Sequence, residues 1–481
     1  MNTRNHLSYE SLLQRADKSV SEAVATVGKT YRLNYHFMPQ AYWMNDPNGL
    51  VFFNGYYHVF YQHHPYSSEW GSMHWGHART KDFIDWEHLP ISLAPSEDYD
   101  ADGCLSGSAV VGNGVLHLFY TGQRVVDGKT TQVQCRATSL DGVNFVKDRR
   151  NPLISDYPPE GSPDFRDPKV WEHSGVWFMA LASGKDGIGK VLLYKSRDLS
   201  QWEYAGVLAQ SDGTQGAIWE CPDVFSLGGK HVLVVSPIGR EPRRVIYFVG
   251  TLDYESGRFT ADYSKELDHG PDFYAFGTER RLLLAWMDAW DVDLPSKKDN
   301  WAGAFTIPRE LVLDANGCLR IHPLPELRRL RKEHFSATSI LLDGNEKKLA
   351  AFDLKEAGLE IILQLDMEKT TASHFGIVFT DAQSSSQFSV GFKEKGKKLY
   401  LDTNDVGSGR KGIFSATLSL QEDRLELRIF VDRSSIEIFS DNGVVSLTSR
   451  IYPSSHTLIP HVFVVDGKLE VASIERWSLA K

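Results

Sequence analysis

The chain has 481 residues, more than a single hydrophobic core usually accommodates, so its length predicts two domains. Its net charge of −10, with no Lys/Arg-rich block to offset it, excludes nucleic acid as an expected partner. No run of about 18 apolar residues is present, and we therefore expect no membrane span. The 12 Trp, 19 Tyr and 25 Phe are compatible with stacking against sugars and equally with packing in β-rich cores.

The cysteine pattern and the first residues bear on the compartment. The segment Met1–Glu10 is polar and lacks the apolar stretch of a secretory signal. The cysteines are widely spaced and form no CxxC pair, which favours reduced thiols and a cytoplasmic location. They are Cys104, Cys135, Cys221 and Cys318.

The N-terminal segment 1–30 is predicted to contain one short helix. Between Leu12 and Val24 the apolar residues, among them Ala16 and Val20, share one helical face. We expect this amphipathic helix to pack on the domain that follows.

Two sequence signatures then recur together at intervals of about 50–60 residues. The first is a short apolar-aromatic strand. It occurs at Tyr57–Tyr61, Leu116–Tyr120, Trp177–Leu181, His231–Val235 and Leu282–Trp286. The second is Ser/Thr-x-Asp followed by an aromatic residue, which is typical of a hairpin turn that leads into an outer strand. It occurs as Thr80/Asp82/Trp86, Ser139/Asp141/Phe145, Ser196/Asp198/Trp202 and Thr251/Asp253/Phe259.

Five repeats of about four short strands each predict a five-bladed β-propeller over residues 31–325. The alternative is a β-sandwich with coincidental spacing, which the shared phase of the two signatures disfavours.

After residue 325, a basic segment, Arg328–Lys332, predicts a solvated linker helix within 326–338, rather than a phosphate-binding patch. Residues 339–481 contain short alternating strands, and Asp441–Gly443 is a hairpin-turn signal. The fold class is therefore all-β: a five-bladed propeller followed by a C-terminal β-sandwich.

Polar and acidic residues stand about ten residues before each repeated strand, so a propeller would bring them together around its axis. Three of the five positions offer a carboxylate beside a Pro or Trp, namely Asp46, Asp167 and Glu220. Because carboxylates in a sugar-sized cavity are the groups that hydrolyse glycosides, they indicate a glycosidase. A single such residue beside Pro is more often a turn residue, but three at equivalent positions favour catalysis.

Different roles are expected for the three acids. Glu220, between Trp219 and Cys221, has the most apolar flank, and repulsion from Asp46 would favour its protonated form, as a general acid requires. Arg166 is expected to hold the neighbouring Asp167 ionised, which suits a group that binds sugar hydroxyls.

These residues lie in motifs that resemble glycoside hydrolase family 32. The matching stretches are Trp43–Gly49 (WMNDPNG), Phe165–Pro168 (FRDP) and Glu220–Pro222 (ECP), with further similarity at Trp301–Leu311 and Leu427–Phe439. The resemblance implies a retaining β-fructosidase, with Asp46 as nucleophile, Glu220 as general acid/base and Asp167 as transition-state stabiliser. It implies no metal or organic cofactor. The implied contacts to the sugar substrate are Asn45, Gln62, Trp70, Ser106, Arg166, Tyr274 and Trp290.

Within this family, the stretches WGSMHWGH, DGCLSGSAV and QVQC resemble bacterial intracellular members acting on sucrose or sucrose 6-phosphate. His74 and His77 could supply a cation for a phosphate, or could be hydrogen-bonded loop histidines. A zinc site at these histidines lacks the usual ligand pattern and is rejected. An exo-acting fructanase and a non-catalytic carbohydrate-binding propeller are the alternative functions. The oligomeric state stays open.

Overall fold

A short helix opens the computed structural model, which describes residues 8–288, 290, 292, 294–344, 347–348, 352–353, 357–420 and 423–481. Helix α1, Tyr9–Ala23, begins after Ser8, whose side chain accepts a hydrogen bond from the Ser11 amide (3.2 Å). The helix buries Ala16 and Val20 against the first sheet, as its apolar face predicts. None of the described helices is long and apolar enough to cross a membrane.

Five antiparallel sheets follow α1 in the described chain. The first sheet has strands β1 Tyr42–Phe53, β2 Tyr56–His64, β3 His74–Thr80 and β4 Trp86–Leu93. The second has β5 Gly103–Gly112, β6 Val115–Val126, β7 Lys129–Ser139 and β8 Val146–Lys147. The third has β9 Arg166–His173, β10 Val176–Lys185, β11 Ile188–Ser196 and β12 Glu203–Gln210. The fourth has β13 Ile218–Leu227, β14 Lys230–Ile238, β15 Ile246–Asp253 and β16 Arg258–Glu266. The remaining strands are β17 Tyr274–Glu279, β18 Leu282–Trp286, β19 Trp301–Ala302, β20 Arg309–Leu313 and β21 Leu319–Pro323.

The sheets form a closed ring. The fifth sheet consists of β17, β18, β20 and β21, whereas β19 pairs in parallel with β1 and so ties the end of this region to its beginning. The first strands of successive sheets contact one another, and β17 contacts β1. The prediction of an N-terminal propeller is confirmed, and we assign one blade to each sheet.

The repeated signatures have distinct places in a blade. The apolar-aromatic strands are the second strands, β2, β6, β10, β14 and β18. The Ser/Thr-x-Asp signature forms the turn before the fourth strand, as predicted. In the first blade, Asp82 Oδ1 accepts hydrogen bonds from the amides of Ile84 (3.0 Å) and Asp85 (2.9 Å). The catalytic candidates upstream of each repeated strand therefore lie on the first strand of the blade.

The C-terminal domain is a sandwich of two sheets. One sheet has the order β22-β34-β25-β30-β31-β32, and the other has the order β23-β33-β26-β27-β28-β29, with β24 paired to β33. The strands are β22 Arg331–Asp343, β23 Lys347–Lys348, β24 Phe352–Asp353, β25 Gly358–Asp366, β26 His374–Asp381, β27 Gln387–Lys393, β28 Lys398–Asp402, β29 Ile413–Thr417, β30 Arg424–Asp432, β31 Ser435–Ser440, β32 Val445–Arg450, β33 Thr457–Val465 and β34 Lys468–Leu479. Single 3-10 turns span Val24–Thr26, Asp98–Asp100, Pro295–Asp299, Pro325–Leu330 and Asp441–Gly443.

The prediction of a linker over 326–338 needs correction. Only Pro325–Leu330 is a 3-10 helix, and Arg331–Asp343 is already the edge strand of the sandwich. Arg331 donates to Glu360 (2.8 Å), and its guanidinium lies 3.6 Å from the Trp477 ring centroid. Of the four basic residues in this segment, only Arg331 is packed, on partners that lie far away in sequence, whereas Arg328, Arg329 and Lys332 are exposed.

Buried charges join the two domains. Arg309 of β20 is fully buried, and its guanidinium donates to Asp268 (2.9 Å) in the propeller and to Glu437 (2.6 Å) in the sandwich. His36 contacts the same Glu437 (2.9 Å) and also Asp432 (2.8 Å). Apolar residues of both domains surround this network in one shared core. The interface therefore resembles the interior of a single domain.

We predict that Arg309→Met lowers the free energy of unfolding by about 3–5 kcal/mol, because the buried carboxylates of Asp268 and Glu437 would lose the guanidinium that they share. Arg281→Met is the matched control: the Arg281–Glu310 pair lies at the surface, and its loss is expected to cost about 0–1 kcal/mol. Urea unfolding followed by tryptophan fluorescence measures both. Equal stability of the two variants would contradict the importance of the buried network.

Candidate active site

The catalytic candidates lie at the same end of the five innermost strands, where each strand is interrupted by a bulge. β-Bulges re-aim side chains and are common beside active sites. Register shifts occur in β1 between Met44 and Pro47, in β5 between Leu105 and Gly107, in β9 between Arg166 and Lys169, in β13 between Glu220 and Asp223, and in β17 between Tyr274 and Phe276. Asp46, Ser106, Asp167 and Cys221 are therefore bulge residues.

Backbone strain accompanies three of these bulges. Asp167, Cys221 and Ala275 have φ angles of 57°, 48° and 36°, a region that non-glycine residues rarely adopt. Such conformations cost about 1–3 kcal/mol each and persist where the surrounding structure fixes them. The ring of strands thus holds these residues in positions that an isolated strand would not adopt.

The bulges open onto one cavity of about 520 Å³ at the propeller axis. Asp46, Asp167 and Glu220 all line it, so the structure brings together the three predicted acids. Of the predicted sugar contacts, Asn45, Gln62, Trp70, Ser106, Arg166 and Trp290 line the same cavity. Among the other lining residues, Leu105 lies in the DGCLSGSAV stretch and Gln132 begins the QVQC stretch. The sequence did not single out the remaining ones, Gln123, Thr130, Pro163 and Asp164.

The Asp46 carboxylate is oriented by two hydrogen bonds. Ser106 Oγ donates to Oδ2 (2.6 Å) and Asn45 Nδ2 donates to Oδ1 (2.9 Å). The Asn45 amide is itself oriented by the Trp43 indole N–H, which donates to its oxygen (2.7 Å). Burial raises the pKa of Asp46, whereas the hydrogen bonds from Ser106 and Asn45 lower it. The carboxylate is therefore fixed in direction.

Asp167 lies beside Asp46, across the Cys221 thiol. The Cys221 amide donates to Asp167 Oδ2 (2.9 Å), and Cys221 Sγ lies 3.6 Å from Asp167 Oδ2 and 3.8 Å from Asp46 Oδ2. Burial raises the pKa of Asp167 to about 7; the charge of Arg166 opposes this shift, and the charges of Glu220 and Asp46 add to it. Asp167 therefore titrates near neutral pH when no sugar is bound.

Glu220 receives hydrogen bonds on both carboxylate oxygens. Arg166 donates to Oε1 through Nε (3.1 Å) and Nη2 (2.9 Å), and the Tyr274 hydroxyl donates to Oε2 (2.6 Å). The third nitrogen of the Arg166 guanidinium, Nη1, donates to Asp164 (2.7 Å). Tyr274 does not line the cavity but positions the side chain that does.

These contacts change two expectations about the acids. Arg166 was expected to pair with Asp167, but it donates to Glu220 and Asp164. Trp219 was expected to flank Glu220, but its indole is buried within the blades and donates to the Gln215 carbonyl (2.8 Å). For Trp219 the reason is strand geometry: successive side chains of a strand point to opposite faces, so Trp219 faces away from the site that Glu220 lines.

Two tryptophans form the open wall of the cavity. Trp70 and Trp290 are 49% and 41% exposed, unlike the buried tryptophans of the blades. Trp290 stacks on Trp43, with ring centroids 5.9 Å apart and planes at 26°. Gln62, at the floor, donates to the Cys104 carbonyl (3.0 Å). Exposed aromatic faces beside a polar floor are suited to sugar rings.

His74 and His77 do not provide a cation to this cavity. Burial lowers the pKa of His74 to about 3, and its Nδ1 contacts the Ser72 carbonyl (3.0 Å). His77 Nε2 contacts His58 Nδ1 (3.0 Å), and burial keeps its pKa well below the usual value. The alternative that these histidines bind a phosphate is therefore wrong: both are neutral and buried in the first blade.

Comparisons with known proteins agree with the geometry. Models described as "Glycosyl hydrolases family 32 N-terminal domain" and "Glycosyl hydrolases family 32 C terminal" match residues 36–323 and 326–478. Sucrose-6-phosphate hydrolase of Escherichia coli is 39% identical to this chain, with 92% of this chain and 94% of that protein covered. Raffinose invertase of Escherichia coli is 37% identical, with coverages of 97% and 99%.

The similarity extends to a solved structure with a sugar bound. A variant of a family 32 β-fructofuranosidase of Bombyx mori, in complex with sucrose, superposes with a TM-score of 0.86 at 32% identity, covering 98% of this chain and 99% of that one. The chain therefore belongs to glycoside hydrolase family 32, and it is a glycoside hydrolase that acts on β-fructofuranosides.

Proposed function

We propose that this enzyme cleaves sucrose-type β-fructofuranosides by a retaining double displacement, with Asp46 as nucleophile, Glu220 as general acid/base and Asp167 as the group that holds the fructose hydroxyls. One observation carries the proposal: three carboxyl groups from three blades line one sugar-sized cavity, and each has a different set of partners. Retaining glycosidases need such a division between a nucleophile and a proton donor.

The surroundings of Asp46 support its role as nucleophile. Ser106 and Asn45 hold both oxygens in fixed directions without a cation, so the negative charge stays available to the anomeric carbon C2 of the fructosyl unit. Attack forms the bond between an Asp46 oxygen and C2, and breaks the bond from C2 to the leaving oxygen. The charge of Asp46 disappears in this step.

The contacts of Glu220 support proton transfer in both directions. Glu220 would donate a proton to the leaving oxygen as the C2–oxygen bond breaks, and in the second step would accept a proton from the attacking water. Arg166 and the Tyr274 hydroxyl stabilise the carboxylate that remains after the first transfer. Neutralisation of Asp46 removes a repelling charge and so favours this carboxylate at that stage.

Asp167 is suited to bind the fructose ring. Its backbone and Oδ2 are held by Thr121 and Cys221, so Oδ1 is available to accept hydrogen bonds from sugar hydroxyls. Hydroxyl donors favour the ionised carboxylate, and its charge would then stabilise the oxocarbenium-like transition state. Because Asp167 is buried, this interaction is strong once the sugar excludes water.

We also propose a cytoplasmic location. The four cysteines form no disulfide bond in the structure, and Cys104 and Cys135 are buried as thiols. Reduced cysteines are typical of cytoplasmic proteins.

The roles of Asp46 and Glu220 can be separated by the leaving group. Asp46→Asn is expected to lower kcat on sucrose by on the order of 10⁴-fold or more, because no nucleophile remains. Glu220→Gln is expected to lower it by about 10²–10⁴-fold. With an aryl β-fructofuranoside, whose phenolate leaves without a proton, Glu220→Gln should form the fructosyl-enzyme at a nearly normal rate, whereas Asp46→Asn should stay inactive.

Initial release of the phenol in stopped-flow experiments measures this step. Asp186→Asn, in an exposed turn of the third blade, is the control for the loss of a carboxylate and should match the unsubstituted enzyme. If Asp46→Asn releases the phenol as fast as Glu220→Gln does, the assignment of the nucleophile is wrong.

Asp167→Asn tests the shifted ionisation through stability. The pKa of Asp167 is about 7 in the folded enzyme and about 3.9 in the unfolded chain, so the folded enzyme binds this proton more tightly. The contribution of Asp167 to the free energy of unfolding therefore becomes less favourable as the pH rises between these two values. The Tm of Asp167→Asn minus the Tm of the unsubstituted enzyme should therefore increase from pH 5 to 7 and level off above pH 8. The corresponding change in the free energy of unfolding is a few kcal/mol at most (~1.4 kcal/mol per pKa unit). Differential scanning calorimetry without sugar measures this difference. A difference in Tm that is the same at every pH would contradict it.

A further inference from the structure

We infer that Arg243 binds a phosphate group on the leaving sugar, so that the preferred substrate is sucrose phosphorylated on its glucose unit. This inference rests on the proposed function, because it places the phosphate relative to Glu220 as the proton donor. The observations that carry it are the position of one loop, a guanidinium that has no carboxylate partner among the described residues, and the charge balance around it.

The loop 239–245 lies at the active-site end of the fourth blade. It connects β14 to β15, and β14 ends beside the start of β13: Ser236 pairs with Glu220 and Ile238 pairs with Ile218. Residues just after β14 therefore emerge next to the proposed proton donor. Because Glu220 faces the leaving oxygen, this loop borders the side of the cavity where the leaving sugar would lie.

Arg243 of this loop reaches back toward the site. Its guanidinium carbon lies 5.4 Å from the ring centroid of Tyr274, the residue that donates to Glu220. Within the described part of the chain, Arg243 has no carboxylate at ion-pair distance and makes no hydrogen bond. It is half-buried, so its charge is partly desolvated without compensation.

The surrounding charges leave an excess of positive charge. Arg240 (2.7 Å), Arg244 (3.5 Å) and His269 (3.1 Å) all contact the single carboxylate of Glu266. One buried nitrogen of Arg240, Nη1, has no hydrogen-bond partner. Arg244 also interacts with the Asp268 carboxylate, which Arg309 already binds, and it donates to the carbonyls of Asp268 and Gly270 (3.4 Å each). Arg243 shares neither carboxylate, so the loop retains a positive charge that attracts an anion. Glu241, in the same loop, is exposed to solvent.

Two other cations near the cavity are already paired. Arg166 is shared by Glu220 and Asp164, and Lys297 contacts Glu69 (2.7 Å). A phosphate on the primary hydroxyl of glucose is several bonds away from the leaving oxygen, so its cation has to lie beyond Glu220 rather than against it. Arg243 meets this requirement, because its guanidinium lies over the Tyr274 ring and Tyr274 separates it from the Glu220 carboxylate. A guanidinium stays charged at every physiological pH and matches phosphate oxygens in a fork.

The contact with Tyr274 has another interpretation, in which Arg243 only props the tyrosine ring by a cation–π interaction. The two interpretations differ in what they predict for the two substrates. If Arg243 only positions Tyr274, it should support the cleavage of phosphorylated and unphosphorylated sucrose equally. If Arg243 binds the phosphate, it should support only the cleavage of the phosphorylated sugar.

The test compares kcat/KM for sucrose 6-phosphate with kcat/KM for sucrose. The unsubstituted enzyme should prefer the phosphorylated substrate, and Arg243→Gln should lower the ratio of the two constants by on the order of 10- to 100-fold, the value of a hydrogen bond to a charged group. Arg243→Lys should restore part of it. Arg258, at the far end of the same blade, is exposed and has no ion-pair partner in the described part of the chain, so Arg258→Gln is the matched control and should keep the ratio.

Binding of glucose 6-phosphate gives a readout that needs no turnover. By calorimetry, the unsubstituted enzyme should bind glucose 6-phosphate more tightly than glucose, and Arg243→Gln should lose most of this difference. A loss of activity on both substrates alike, or no preference for the phosphorylated sugar in the unsubstituted enzyme, would overturn the inference while leaving the proposed function intact. No release of fructose from either substrate would overturn the proposed function and the inference with it.

Discussion

The burial of three carboxyl groups around one cavity is the constraint on which the rest of the site depends. Like charges in a water-poor pocket repel one another, and each has to be stabilised by donors placed for it alone. Asp46 has Ser106 and Asn45, and Glu220 has Arg166 and Tyr274. Among the described residues, Asp167 has the Cys221 amide and thiol near Oδ2, and burial, with the charges of Glu220 and Asp46, raises its pKa to about 7. The unequal supply of donors makes three chemically similar groups suited to three different tasks.

The architecture provides this arrangement through a ring of strands with a bulge in each innermost strand. Every blade presents its bulge at the same end, and the positive φ angles of Asp167 and Cys221 turn side chains toward the axis. The strain is tolerated because the ring is closed by β19 on β1 and supported by the second domain, which shares a buried charge network with the propeller through Arg309. Residues remote from the sugar thus maintain the geometry of the acids.

The sequence was sufficient to predict the propeller and the convergence of the acids, because both follow from periodicity. Equivalent positions in a repeat become neighbours when the repeats close into a ring. Contacts between blades were not predictable in the same way. The pairing of Arg166 with Glu220 joins residues far apart in sequence, and the strand that begins at Arg331 depends on Glu360 and Trp477. His74 and His77 were also ambiguous, because exposure, which decides whether a histidine carries charge, is a property of packing.

The central claim is that Asp46 forms a covalent bond to the fructosyl unit while Glu220 moves the proton. The most direct measurement is mass spectrometry of the Glu220→Gln variant, acid-quenched during turnover of an aryl β-fructofuranoside. In that variant the intermediate forms without a proton donor but lacks a base for its hydrolysis, so it should accumulate. The account predicts one added fructosyl group on the peptide that contains Asp46. A fructosyl group on the peptide of Asp167, or release of phenol without any labelled peptide, would contradict it.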